Sequence, residues 1–222
     1  MIILVFLLGM AVAPLAAFFE CLPIGFEETG ELKCFTSLFP QKIFPFPWGL
    51  LIYIFLGIAA IEEIFKYLVV KLRVLRSSEF DEPLDVMLYM IIAALGFAAL
   101  ENILILFFPE EPFLIVEASI ITAFRFVGAT FLHALCSGTI GYFLACSFFE
   151  PKQKKKFLFI GFALAILLHG FFNLSIIMVD KKIITAELGF SLVAVILIFL
   201  AVFVTLGFRK LKKLASVCKV NR

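Results

Sequence analysis

Residues 47–70 have the sequence PWGLLIYIFLGIAAIEEIFKYLVV, an apolar run that carries Glu62, Glu63 and Lys66. About 20 apolar residues are enough to cross the hydrocarbon core of a bilayer as a helix. Each charged side chain at the centre of such a helix costs about 2.5–3.5 kcal/mol on the insertion scale, so a chain without a use for these charges would lose stability. The stretch therefore predicts a transmembrane helix that contributes to a buried polar site.

The rest of the 222-residue chain has the same apolar character. Hydrophobic residues make up 64% of it, and its mean hydropathy is +1.14, whereas an ordinary soluble domain is about 45–50% apolar. This composition excludes a soluble globular domain, and the net charge of +2 provides no basic field for binding nucleic acid. We predict an all-α, polytopic membrane protein that forms a single domain over residues 1–222.

Six apolar runs, separated by polar or proline-rich breaks, predict six transmembrane helices. They lie at about 2–19, 47–70, 84–108, 113–149, 157–179 and 184–208. At 1.5 Å per residue the fourth is longer than a hydrocarbon core of about 30 Å, so we expect it to tilt, to begin at the interface near Phe113, or to extend into the cytoplasm. The polar groups fall in a core at 47–179, with an outer loop at 20–46 and a basic tail at 209–222.

Lysine and arginine are unevenly distributed between the two sides. One side holds Lys71, Arg73, Arg76, Lys152, Lys154, Lys155, Lys156, Arg209, Lys210, Lys212, Lys213, Lys219 and Arg222, and the other holds Lys33, Lys42, Lys181 and Lys182. Cytoplasmic loops are the richer in these residues, so both termini are predicted to be cytoplasmic. Helix 1 lacks a basic segment before its apolar run, and we interpret it as an uncleaved anchor.

Two of the five cysteines, Cys21 and Cys34, fall in the predicted outer loop. An oxidising location allows them to form a disulfide. Two unpaired thiols are the alternative, because nothing in the spacing requires pairing.

Ionisable and amide side chains occur in four of the predicted helices. They are Glu62, Glu63 and Lys66 in the second, Glu101 and Asn102 in the third, Arg125 and His133 in the fourth, and His169 and Asn173 in the fifth. Glu62, Glu101, His133 and His169 each lie near their helix midpoint, within roughly 8 Å of one plane. Lys66 can pair with either glutamate at i,i+3 or i,i+4 spacing. We therefore predict that the four helices converge on one buried pocket.

Each of these groups also has a purely structural interpretation. The glutamates with Lys66 could form an ion-paired knot between helices. His133 could be an interhelical hydrogen-bond partner, and Asn102 and Asn173 could be ordinary polar contacts between helices.

The polar residues form motifs that resemble those of a known family. Glu62-Glu63-x-x-Lys66 is similar to the EExxK motif of the PrsW family of intramembrane proteases, and the stretch 96–102 (GFAALEN) to its GFxxxEN motif. Arg125 with the stretch 133–141 (HALCSGTIG) resembles the third motif, and 169–173 (HGFFN) the fourth. The resemblance implies a membrane peptidase related to the CAAX-prenyl-endopeptidase superfamily, located in a prokaryotic plasma membrane. It also implies a membrane-anchored substrate, for which an anti-sigma-factor-like regulator is the example.

Peptide hydrolysis needs an activated water, a stabilised oxyanion and an acid for the leaving amine. Glu62 or Glu63 can serve as the base, and the sequence does not decide which of them does. His169 with Asn173 can bind the oxyanion or protonate the leaving group. His133 can orient the water, and Glu101 can orient a histidine. Lys66 and Arg125 can hold one carboxylate ionised.

Three alternatives stay open at this point. Zinc bound by Glu62, Glu63, His133 and His169 would make the site that of a metallopeptidase, although the sequence lacks an HExxH motif and we favour a glutamate mechanism without metal. A proton-coupled transporter also places ionisable groups in mid-membrane, but the chain shows no internal repeat. A non-catalytic membrane scaffold is the third alternative.

Overall fold

The structure, a computed structural model, describes residues 1–20, 23–26, 32–34, 48–77, 80–107 and 115–214. Its α-helices are α1 (Ile2–Glu20), α2 (Trp48–Ile52), α3 (Ile61–Val69), α4 (Pro83–Phe107), α5 (Ile115–Phe149), α6 (Lys154–Asp180) and α7 (Ala186–Leu211). A first π-helical segment, Tyr53–Ala60, joins α2 to α3, and a second, Val70–Val74, continues α3. A 3-10 turn, Pro151–Gln153, precedes α6. The fold is all-α apart from one short hairpin.

Six helices of the described chain are long and apolar enough to cross a membrane, as predicted. The second crossing, Trp48–Val74, combines α2, α3 and both π segments. α6 begins at Lys154, before the predicted residue 157. The reason is local, because Pro151 starts a helical turn for which its fixed φ is suited, and the three lysines 154–156 then form the first turn of α6 instead of a loop.

α5 has the excess length that the sequence indicated. It contains 35 residues, about 52 Å at 1.5 Å per residue. Among its described side chains, the candidate crossing stretch is Phe126–Phe149. The whole helix is longer than a hydrocarbon core of about 30 Å.

The predicted outer loop at 20–46 contains regular structure. α1 continues to Glu20, and strand β1 (Pro23–Phe26) pairs antiparallel with β2 (Leu32–Cys34), with Pro23 opposite Cys34. The hairpin was not predicted, because its two strands of four and three residues are too short to show an alternating pattern. Cys21 lies outside the described residues, so the Cys21–Cys34 disulfide stays a prediction.

α4 and α5 form the centre of the bundle. More than half of the residues in their crossing stretches are buried, 56% and 61%, against 22% for α1 and 17% for α7. α4 packs against α1 and α5, and α5 also packs against α6 and α7. Gly96 allows α1 to approach, since a Cβ at this position would overlap the carbonyl oxygen of Phe6. The close crossing places α1 beside the motif-bearing helix α3.

Candidate active site

Glu62, Glu63 and Lys66 lie on one buried face of α3. All three side chains are almost fully enclosed in an otherwise apolar bundle. The π-helical segments on both sides of α3 change the helical phase around this turn, and π-helical turns are rare and occur often at functional sites. We recognised no signal in the sequence for these π-helical segments. The structure shows that they lie on both sides of the EExxK motif.

The Lys66 ammonium is the centre of the cluster. Its Nζ donates to Glu63 Oε1 at 2.8 Å and to Glu62 Oε2 at 3.2 Å. It lies 2.7 Å from His133 Nδ1, and because an ammonium has no lone pair, this nitrogen of His133 accepts. Nζ also lies 4.4 Å from the centroid of the Phe97 ring, within the range of a cation–π interaction. Lys66 thus joins α3 to α4 and α5.

Glu63 is fully buried and surrounded by donors. Besides Lys66, its Oε1 is 3.2 Å from His169 Nδ1, and its Oε2 accepts from Ser137 Oγ at 2.8 Å. A carboxylate only accepts hydrogen bonds, so His169 Nδ1 is the donor in this contact. Gly170 makes this contact possible, because a Cβ there would overlap the Phe55 ring of the first π segment and keep α6 away.

Glu62 has a different environment from its neighbour. Its Oε2 lies 3.5 Å from His133 Nδ1 and 3.8 Å from His169 Nε2. Both imidazoles thus turn one ring nitrogen towards the Glu62 carboxylate. The rings of His133 and His169 meet edge to face, with centroids 5.1 Å apart.

Glu101 on α4 approaches the other side of His133. Its Oε2 is 2.7 Å from His133 Nε2, the nitrogen that carries the proton when Nδ1 accepts from Lys66. The alignment is not that of a hydrogen bond, and Glu101 Oε2 has no hydrogen-bonding partner among the described residues. The buried cluster of Glu62, Glu63, Lys66, Glu101, His133 and His169 holds three carboxylates and one ammonium. Glu101 is its only partly exposed member.

A cavity of about 60 Å³ opens beside this cluster, between α1, α3 and α4. Its lining residues are Ala13, Ala17, Glu62, Phe97, Glu101 and Leu104. A water molecule needs roughly 10–15 Å³ of such space and two to four polar partners. The carboxylates of Glu62 and Glu101 provide those partners, whereas Glu63 does not line the cavity.

The other predicted site residues lie outside the cluster, or their side chains lie outside the described residues. Asn102 donates to Thr130 Oγ1 at 3.2 Å and links α4 to α5, as expected of a structural contact. Asn173 is half-buried and forms no hydrogen bond with the cluster among the described residues. Arg125 belongs to α5, but its side chain lies outside the described residues.

Ser137 and Phe97 lie within the motif stretches 133–141 and 96–102, but no role was predicted for either of them from the sequence. Ser137 lies four residues after His133, so the two share a face of α5, and this spacing was the available signal. Phe97 carries no chemical group that would mark it, and only the packing of α4 on α3 reveals its contact with Lys66.

Three members of the cluster can hold a metal ion by the nature of their atoms. Glu62, His133 and His169 are buried, and one ligand atom from each lies within 4.8 Å of the others. Two imidazole nitrogens with one carboxylate oxygen form a donor set that zinc accepts. The Glu63 carboxylate behind His169 is the outer-shell partner that usually orients such a histidine.

The fold and the site together define a polytopic membrane protein with a buried carboxylate–imidazole centre. The model of the PrsW family, described as intramembrane metalloprotease, matches residues 1–206. The chain belongs to this family, as its four motifs predicted.

Several relatives named Protease PrsW are similar to the chain. That of Geobacillus kaustophilus is 37% identical over 119 residues, which are 54% of this chain and 49% of the relative. That of Oceanobacillus iheyensis is 35% identical over 119 residues, 54% and 52% of the two chains. That of Shouchella clausii is 29% identical over 175 residues, 78% and 71%.

The matched part of the chain thus spans about half the length of the first two relatives. No solved structure matches the chain. The bacterial relatives and the six apolar helices identify an integral membrane protein of a prokaryote.

Proposed function

We propose that the chain is an intramembrane peptidase that hydrolyses a peptide bond of a membrane-anchored protein, with Glu62 as the base that activates water. The observation that carries the proposal is the contrast between the paired glutamates. Glu62 borders the cavity and faces two imidazole nitrogens, whereas Glu63 is enclosed by Lys66, His169 and Ser137. Of these two glutamates, only Glu62 lines the cavity in which a water can lie.

The reaction then uses the residues in distinct roles. Glu62 takes a proton from the water while the water oxygen forms a bond to the carbonyl carbon of the substrate. The C–N bond breaks as the same proton passes to the leaving amine. Glu63, fixed by Ser137, positions His169, and Glu101 positions His133. These two imidazoles lie within 3.8 Å of Glu62 Oε2 and can share the proton that Glu62 takes from the water.

The family description raises the question of a metal, and the donor set described above suits zinc. Glu62, His133 and His169 would hold the ion, which when bound would lower the pKa of a coordinated water and polarise the carbonyl. The roles of Glu63 and Glu101 behind the two histidines would be the same in that form. We favour the glutamate mechanism without metal.

A cleavage assay with glutamine variants tests the proposal. Glutamine keeps the size of glutamate but cannot act as a carboxylate base, so Glu62→Gln should lower the cleavage rate by roughly 100-fold or more without loss of thermal stability. Glu63→Gln should lower the rate less and destabilise the protein, since it weakens the contacts with Lys66 and His169. Glu82→Gln, an exposed glutamate outside the cluster, is the control and should cleave at the wild-type rate.

The substrates for this assay are epitope-tagged single-span membrane proteins of the host, anti-sigma factors among them, co-expressed with each variant. A folded Glu62→Gln protein that cleaves at the wild-type rate would contradict the role of Glu62. Wild-type cleavage by Glu62→Gln, Glu63→Gln, His133→Ala and His169→Ala alike would contradict the peptidase site as a whole.

A further inference from the structure

Lys66 contacts two of the three residues that can hold a metal. Its Nζ lies 3.2 Å from Glu62 Oε2 and 2.7 Å from His133 Nδ1, and its third contact is Glu63 Oε1 at 2.8 Å. An ammonium has three protons, so these contacts occupy all of them. The side chain is fully buried, and the ammonium is therefore held inside the donor set.

The contact with His133 occupies the atom that a metal would need. An unprotonated imidazole nitrogen has one lone pair, which either accepts a hydrogen bond or binds a metal. His133 Nδ1 faces Glu62 and accepts from Lys66, while its Nε2 faces Glu101. His169 Nε2, by contrast, has no ammonium beside it among the described residues. Of the three ligand atoms, His133 Nδ1 is the one already in use.

Electrostatic repulsion makes the Lys66 ammonium and a divalent metal ion alternative occupants of the position beside His133 Nδ1. The cluster has three carboxylates and one ammonium, so it attracts a further cation. A divalent ion bound between Glu62 and His133 would lie next to the Lys66 ammonium and repel it. Either the lysine or a metal can thus offset negative charge at this position, but the two cannot contact His133 Nδ1 together.

We infer that Lys66 is the resident cation of this site and competes with a divalent metal for His133 Nδ1. The inference rests on the proposed function only for the statement that this is the catalytic site. It reconciles a donor set that suits zinc with a mechanism that uses Glu62 as the base. In this chain, binding of a metal requires the lysine side chain to leave the cluster.

The test measures zinc affinity in detergent with protein freed of any histidine tag. Lys66→Met removes the ammonium but keeps an unbranched stem beside Phe97. It should bind zinc about tenfold or more tightly than the wild type, because a charged hydrogen bond no longer has to be broken. Lys71→Met is the matched control, since Lys71 is exposed five residues away, and its zinc affinity should equal that of the wild type.

A second measurement uses the wild type and does not depend on whether Lys66→Met folds. Reductive methylation of lysines, followed by mass spectrometry, should label Lys66 poorly without zinc and several-fold faster at saturating zinc. Lys71 should be labelled equally in both conditions. Equal labelling rates of Lys66 with and without saturating zinc would overturn the inference.

The affinities also have outcomes against the inference. Equal or weaker zinc binding by folded Lys66→Met would show that Lys66 supports the metal site or has no part in it. No zinc binding by either protein would show that the donor set is not a metal site, and competition would be excluded. Neither result affects the peptidase proposal, which depends on the cleavage rate of Glu62→Gln, and loss of that proposal would leave the zinc affinities unchanged.

Discussion

Two groups of charged residues in this apolar protein, one buried and one exposed, are built in opposite ways. The buried cluster combines carboxylates, an ammonium and imidazoles from α3, α4, α5 and α6, with contacts between 2.7 and 3.8 Å. The basic helix ends, at Lys71, Arg73, Arg76, Lys154–Lys156, Arg209, Lys210, Lys212 and Lys213, carry exposed side chains of one sign. Charges in the interior are mixed and in contact with one another, while the basic side chains at these helix ends are exposed and of one sign.

The difference shows where charge contributes energy in this fold. A buried ion without its partner is strongly destabilising, because the cost of its desolvation is no longer offset. An exposed charge is hydrated and screened, so its contribution to stability is small. Substitutions in the cluster should therefore have large effects, and those at the helix ends should have small ones.

Lys66→Met should have the largest effect. It leaves the carboxylates of Glu62 and Glu63 without their cation, which for a buried pair costs about 3–5 kcal/mol of unfolding free energy. Thermal unfolding in detergent, with zinc absent, measures the loss. Lys71→Met should unfold at the wild-type temperature, and equal stability of the two variants would show that the cluster is not ion-paired as described.

Ser137→Ala should have an intermediate effect. It leaves Glu63 Oε2 buried without a hydrogen-bond donor, at a cost of about 1–3 kcal/mol, and loosens the carboxylate that positions His169. We expect kcat to fall about tenfold, with KM unchanged. Ser147→Ala is the control, because Ser147 is a buried serine of the same helix that donates to Leu144 within α5. A fall in kcat of equal size in both variants would remove the positioning role of Ser137.

Much of the fold could be predicted from apolar length alone, because bilayer thickness sets the length of a crossing helix. The convergence of Glu62, Glu101, His133 and His169 also followed from their depth in four helices. The choice between Glu62 and Glu63 did not, because Lys66 is within reach of both along the helix. Our proposal of Glu62 rests on the contacts of Glu63 with Ser137 and His169 on other helices.

Asn102 shows the same limit of prediction from helical spacing. Asn102 directly follows Glu101, and neighbouring residues point about 100° apart around a helix. Glu101 consequently approaches His133, while Asn102 points to Thr130. The position of Glu101 and Asn102 along their helix could be predicted, but the direction in which each side chain points depends on how α4 packs against α5.

Neutralising the end of α7 should have the smallest effect. Lys212 and Lys213 are exposed, so the double variant Lys212→Gln, Lys213→Gln should change the unfolding free energy by less than about 0.5 kcal/mol.

The orientation of this double variant in the membrane should also be unchanged, because Lys154–Lys156 and Arg73 still mark the same side as cytoplasmic. Reporter fusions after Arg76, Lys156 and the C-terminus should report cytoplasm, and fusions near Glu28 and Lys182 should report the outside, in the wild type and the variant alike. A loss above about 1 kcal/mol would show that these lysines are paired like the interior charges, and inverted reporters in the variant alone would show that the tail by itself sets the orientation.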